Sequence, residues 1–164
     1  MSTTGVKEMV RDWYGSVAAG SAGCCGPTTA SQEASRCMGY SEAELASLPE
    51  GADLGLGCGN PQALAALRPG EVVVDLGSGA GIDCFLAAQQ VGPAGRVIGV
   101  DTTHEMLAKA QANARRVGAA NVEFRLGEIE HLPIADNTAD VVISNCVINL
   151  VPDRSRSIAR HFAC

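Results

Sequence analysis

The stretch EVVVDLGSGAGIDCFLAA, Glu71 to Ala88, decides the fold. Its first part is a short continuous apolar run closed by an acid and a glycine, as in a strand buried on both faces. Gly77, Gly79 and Gly81 follow at alternate positions. Glycines there permit positive φ and close approach of the backbone to a ligand. From Gly81 onward the pattern is that of a helix. Strand, glycine turn and helix in this order open a doubly wound α/β sheet.

Working outward, RVIGVD (Arg96–Asp101) reads as a second buried strand, and HEMLAKAQANARRVGA (His104–Ala119) as a helix of good formers. NVEFRLGE (Asn121–Glu128) is a third strand, HLPIADNTA (His131–Ala139) a loop and DVVISNC (Asp140–Cys146) a fourth strand. The expected fold class is therefore α/β, a Rossmann-like parallel sheet with right-handed crossovers. Upstream, residues 5–20 read as a short helix and SAGCCGPTT (Ser21–Thr29) as a loop. SEAELASLP (Ser41–Pro49) carries a capping box, Ser41 with Glu44, and predicts a short helix ending before Pro49. GADLGLGCGNP (Gly51–Pro61) is a loop, and PQALAAL (Pro61–Leu67) a short helix. Residues 1–65 are expected as an N-terminal extension packed onto the sheet, and residues 66–158 as the sheet domain.

The chain has 164 residues, of which 46% are hydrophobic and only 4% aromatic, so an aliphatic core is required. A net charge of −6 without a basic cluster argues against a nucleic-acid or anionic-membrane partner. No apolar run approaches a membrane span, and MSTTGVKEMVRDWYG lacks the apolar segment of a signal peptide. A cytoplasmic location and a monomer are expected. The seven cysteines are odd in number and contain no C-x-x-C pair. A disulfide framework and a zinc knuckle are both disfavoured. What remains is thiol chemistry or small apolar filler. Cys84 within GIDCFLAA and Cys37 on a helical stretch read as filler.

The glycine turn has its strand before it, its helix after it, and Asp101 at the end of strand two to accept from ribose hydroxyls. The spacing departs from the dinucleotide pattern, and Asp75 is poor company for a pyrophosphate. A carboxylate there suits an ammonium group, such as the methionine end of S-adenosylmethionine (SAM). The alternative is a tight turn with no ligand. The expected cofactor set is Asp75, Gly77, Ser78, Gly79, Gly81, Asp101 and Thr102, with Glu128, Ile129 and Asn145 after strands three and four. Glu128 and Ile129 fall where an adenine edge would lie. The alternative for Glu128 and Glu130 is a solvated loop. His104 and His131 read as surface groups. At this point the chain resembles the class I SAM-dependent methyltransferases, from about Glu71 to Leu150.

Cys58, in GLGCGNP, precedes strand one, and Cys146, in SNCVINL, follows strand four. Both thiols are placed to converge at the C-terminal edge of the sheet, where ligands of such folds bind. Cys24 and Cys25 lie on another loop able to reach over. Soft thiolates select soft centres, of which trivalent arsenic is one.

The wording of GLGCGNP, PGEVVVDLGSGAGIDCFLAA, GVDTTHEMLAKAQANA, GEIEHLP and SNCVINL closely resembles bacterial arsenite methyltransferases, over about Trp13 to Ile158. The resemblance implies methyl transfer from SAM to thiol-bound As(III), with Cys58 and Cys146 as arsenic ligands. It implies Cys25, or its neighbour Cys24, as a redox partner, and a cytosolic thiol reductant such as thioredoxin or glutathione. Two other functions remain open: a methyltransferase for a small organic substrate, and a non-catalytic SAM- or arsenical-binding fragment.

The chain departs from that family at its end. Four strands are counted where the family's sheet has seven, and Cys164 belongs to no matching motif. Residues 159–164 read as a tail foreign to the family, whose members continue with a helix resembling IREAFRVLKPGG. Removing one C from ATC CGC GAG GCA TTT CGC GTG CTG AAG gives ATC GCG AGG CAT TTC GCG TGC TGA. That encodes IARHFAC, Ile158 to Cys164, and a stop. A single-base frameshift, in the gene or in its sequencing record, is expected, with weaker SAM binding and reduced or absent methylation.

Overall fold

The computed structural model describes residues 3–20 and 28–147. Helix α1 spans Thr3–Ala18, α2 Thr28–Cys37, α3 Glu42–Ser47 and α4 Gln62–Ala65. The sheet region then runs β1 (Val72–Leu76), α5 (Ile82–Val91), β2 (Arg96–Asp101), α6 (His104–Val117), β3 (Val122–Leu126) and β4 (Val141–Ser144). All strand pairs are parallel, in the order β3-β2-β1-β4. The chain thus moves outward from β1 through β2 to β3, then returns to the other side of β1. That reversal places a crevice at the C-terminal ends of β1 and β4, the position at which open α/β sheets bind ligands.

Strand alternation sorts the core into two faces. Val73, Val97 and Ile143 pack with Cys84, Ala87 and Val91 of α5. Val74, Leu76, Ile98 and Val100 form the opposite face, covered by Ile129, Leu132, Ile134 and Ala139 from the segment between β3 and β4. Gly99 in β2 has a packing reason. A Cβ there would lie 2.7 Å from the Phe124 ring and 2.8 Å from both Cys84 Sγ and Ser78 Cβ. The missing side chain therefore lets the turn and α5 settle onto the strand.

The capping box of α3 forms: the Glu44 N–H donates to Ser41 Oγ, and the Ser41 N–H donates to the Glu44 carboxylate. Tyr40 and Leu45 pack against Leu86 of α5. The extension therefore rests on α5, on α6 through α1, and on the C-terminal edge of the sheet. One expectation is corrected. Cys37 is exposed at the end of α2, because the helix turns that residue outward, and so it is not filler. Glu130 is buried and pairs with Lys7 of α1 at 3.1 Å, which removes the solvated-loop alternative for that residue. Cys24, Cys25, Cys164 and the suspected frameshifted tail lie outside the described residues.

Candidate active site at the switch point

The glycine turn is held by the neighbouring strand. The Gly77 and Ser78 N–H groups donate to the Val100 carbonyl at 2.8 and 3.1 Å. Gly77 takes φ +75°, and a Cβ on it would fall 2.6 Å from the Val147 side chain. Asp101, at the end of β2, fastens the next step. Its Oδ2 accepts from Gly79 N at 2.9 Å and its Oδ1 from Thr103 N at 2.8 Å. Burial raises the Asp101 pKa, opposed by these backbone donors. A crevice opens beside the turn, lined among others by Gly77, Ser78, Gly79, Asp101 and Thr102. Two features show that this wall suits a polar ligand. The Ser78 Oγ is buried with no hydrogen-bond partner. At Gly79, with φ +53°, a Cβ would meet nothing within 4 Å.

Asp75 stands elsewhere than the ligand reading expects. It is buried at 2% exposure beneath the crevice and does not line it. Cys84 Sγ–H donates to Asp75 Oδ2 at 3.2 Å. Burial raises the pKa of both groups; the Asp83 charge adds to the rise at Asp75, where the Cys84 hydrogen bond opposes it, and the Asp75 charge adds to the rise at Cys84. Asp83, at the start of α5, does line the crevice, as Asp101 does. Burial raises its pKa, opposed by hydrogen bonds from Tyr40 and Asn145. The sequence held little signal for it, since an acid in a first helical turn is already explained by the helix dipole.

Glu128 and Ile129 both line the crevice. Glu128, however, is engaged by α1: Lys7 Nζ lies 2.9 Å from Oε2 and Arg11 2.6 Å from Oε1. The Lys7 hydrogen bond is the chief cause lowering the Glu128 pKa. Lys7, Arg11 and Tyr14 thereby become crevice residues, which the sequence alone did not indicate. His104 and His131 are exposed.

Cys58 and Cys146 meet. Their Cα atoms are 5.8 Å apart across 88 residues of sequence, and the sulfurs are joined as a disulfide. This is the oxidised form of the pair; two electrons and two protons return it to two thiols. Cys146 lines the crevice and adopts φ +61°. The side chain of Asn145, on the same wall, accepts from Cys58 N–H at 2.9 Å and donates to Gly59 O at 2.9 Å. Among the described residues no cluster of three or more His, Cys, Asp or Glu side chains forms a metal site.

Residues 67–161 match the methyltransferase-domain family, and the chain belongs to that family. Its closer likenesses are to enzymes of arsenic. It is 54% identical over 164 aligned residues to the arsenite methyltransferase of Halobacterium salinarum, covering 92% of this chain and 42% of that protein. The arsenite methyltransferase of Aquipseudomonas alcaligenes is 44% identical over 155 residues, covering 90% of this chain and 44% of that protein. The chain thus spans less than half the length of these relatives. Among solved structures, an arsenic(III) S-adenosylmethionine methyltransferase from Chlamydomonas reinhardtii matches with a TM-score of 0.61 at 37% identity, covering 79% of this chain and 44% of that one. A SAM-dependent methyltransferase from Aquifex aeolicus matches in fold, with a TM-score of 0.60 at 21% identity, covering 80% of this chain and 65% of that one.

Proposed function

We propose that this chain carries the SAM-binding half of an arsenite methyltransferase and that Cys58 and Cys146 are its arsenic-holding thiols. The observation that carries the reading is the meeting of two cysteines distant in sequence, of which Cys146 lines the crevice beside the glycine turn. SAM, when bound, supplies an electrophilic methyl carbon on a cationic sulfur. The chain's own residues do the rest. The Ser78 hydroxyl and the remaining lone pairs of Asp101 offer polar contacts for the nucleoside. Asp83 takes the role that the sequence suggested for Asp75, a carboxylate facing an ammonium group. Ile129 gives an apolar wall for a base.

The substrate is trivalent arsenic held by the two reduced thiols. The arsenic lone pair forms a bond to the methyl carbon while the carbon–sulfur bond of the donor breaks and its electron pair stays on sulfur. Arsenic thereby rises formally by two oxidation steps. A thiol reductant such as thioredoxin or glutathione returns those two electrons and becomes a disulfide. No general base is required by an atom with a free lone pair, so the protein's contribution is alignment. Cys24 or Cys25 is the proposed intramolecular partner in that redox step, and the cytoplasm supplies the reductant.

The test is product formation. Purified chain is incubated with SAM, arsenite and a dithiol, and methylated arsenicals are separated and counted. Product is expected from the unaltered chain at a lower rate than from a full-length relative, with a further fall of at least a hundredfold in Cys58→Ser and in Cys146→Ser. Product made equally well by both variants would overturn the reading and favour a substrate that needs no thiols.

A further inference from the structure

We propose that Asn145 is a positioning residue, whose side-chain amide fixes the Cys58 loop against Cys146 and so sets the two sulfurs as one chelating pair. This inference rests on the thiol-pair reading above and supplies the device that holds the pair.

Asn145 follows β4 and immediately precedes Cys146. One amide satisfies both main-chain groups that flank the opposite cysteine, accepting from Cys58 N–H and donating to Gly59 O, each at 2.9 Å. It therefore acts toward the loop as a paired strand would, across 87 residues of sequence. Only this orientation of the amide is consistent with its surroundings. Turned over, the NH2 would face the Cys58 N–H, and the oxygen would face the Gly59 carbonyl and the Asp83 carboxylate.

The amide is itself braced from beneath. Its Nδ2 lies 3.1 Å from Asp83 Oδ2 and 3.1 Å from Tyr40 Oη. Tyr40 Oη donates to Asp83 Oδ1 at 2.8 Å, and both residues are 3% exposed. Gln62 Nε2 ties the Asp83 carbonyl to α4 at 3.0 Å. Gly57 makes room for the contact, because a Cβ there would lie 2.8 Å from Asn145 Nδ2. Cys146, next in the chain, keeps the left-handed φ of +61° that few side-chain-bearing residues adopt, which its surroundings must enforce. Both hydrogens of the Asn145 amide are thus committed inside the protein. That argues against its expected part in binding the cofactor.

The readout is the ease of closing the Cys58–Cys146 disulfide, since effective concentration of two thiols reports their alignment directly. The full chain is equilibrated with reduced and oxidised glutathione, where protein dithiol and one glutathione disulfide give protein disulfide and two glutathione thiols. Free thiols are then alkylated, and the Cys58–Cys146 peptide pair is quantified by mass spectrometry. Asn145→Ala is expected to raise at least tenfold the oxidant ratio needed for half-closure. Tyr40→Phe, which leaves the two loop contacts in place, is expected to raise it two- to threefold. Val91→Ala, destabilising and at the far end of α5 from Asp83, is expected to leave it within twofold. An Asn145→Ala ratio within twofold of the unaltered chain overturns the proposal, as does an equal shift in Val91→Ala, which would mark general loosening. Arsenite titration of the same proteins separates the two readings. At least tenfold weaker binding in Asn145→Ala supports both. No arsenite binding by the unaltered chain, with the redox shift intact, sustains the positioning role and overturns the arsenic assignment.

Discussion

At residue scale, Cys84 and Asp75 form a buried pair whose worth is set by what each would lose alone. The Cys84 thiol donates to Asp75 Oδ2, and both side chains are within 2% of full burial. Removing the donor by Cys84→Ala leaves a buried carboxyl oxygen unpaired, at a cost of roughly 1–3 kcal/mol in denaturant unfolding. Cys84→Ser restores a donor and is expected to recover part of that loss. Because burial raises the Asp75 pKa, the folded chain holds a proton that the unfolded chain gives up near the ordinary value of about 3.9. Its contribution to stability is therefore full below that value and lost as pH rises toward the folded pKa. Melting temperatures measured upward from about pH 4 should fall more steeply in the natural chain than in Asp75→Asn. Equal slopes would show that Asp75 is not held protonated. The sequence made Cys84 legible as an interior residue because it lies on the apolar face of a helix. It hid the inward turn of Asp75, since a strand-end acid reads equally well as pointing to a ligand.

At the scale of elements, every strand and helix of the sheet region was legible. Short apolar runs, good helix formers and Gly boundaries all agree there. The placement of α1 was not. Its anchoring partner Glu128 lies 117 residues from Arg11 and 121 from Lys7, and no local pattern reports so distant an ion pair. Lys7, Arg11 and Glu128 are partly exposed, so the pairs together stabilise α1 by on the order of 1 kcal/mol. The lowered Glu128 pKa gives a sign for the pH response. The docked state gains from ionised Glu128 above the ordinary glutamate value of about 4.3 and loses that gain as pH falls through the folded value. Hydrogen exchange in α1 should therefore accelerate on acidification below about pH 4.3. Lys7→Ala combined with Arg11→Ala should already show the faster exchange at neutral pH. Protection of α1 that is indifferent to both changes would mean that apolar packing alone docks it.

Across the whole molecule, strand order does the work that sequence spacing cannot. The reversal at β1 brings the ends of β1, β2 and β4 to one edge, and with them the glycine turn, Asp101 and Cys146. Motif reading expected the convergence of Cys58 with Cys146. The clamp that secures it was beyond reach, because Asn145, Asp83 and Tyr40 come from three distant segments that share no spacing rule. The central claim is that these two cysteines are the soft-ligand site of the crevice. X-ray absorption at the arsenic edge of the reduced chain loaded with one equivalent of arsenite tests it most directly. The account predicts an inner shell of sulfur that loses one protein sulfur in Cys58→Ser and one in Cys146→Ser, with no change in Cys37→Ser. A shell unaltered by either of the first two substitutions would contradict it.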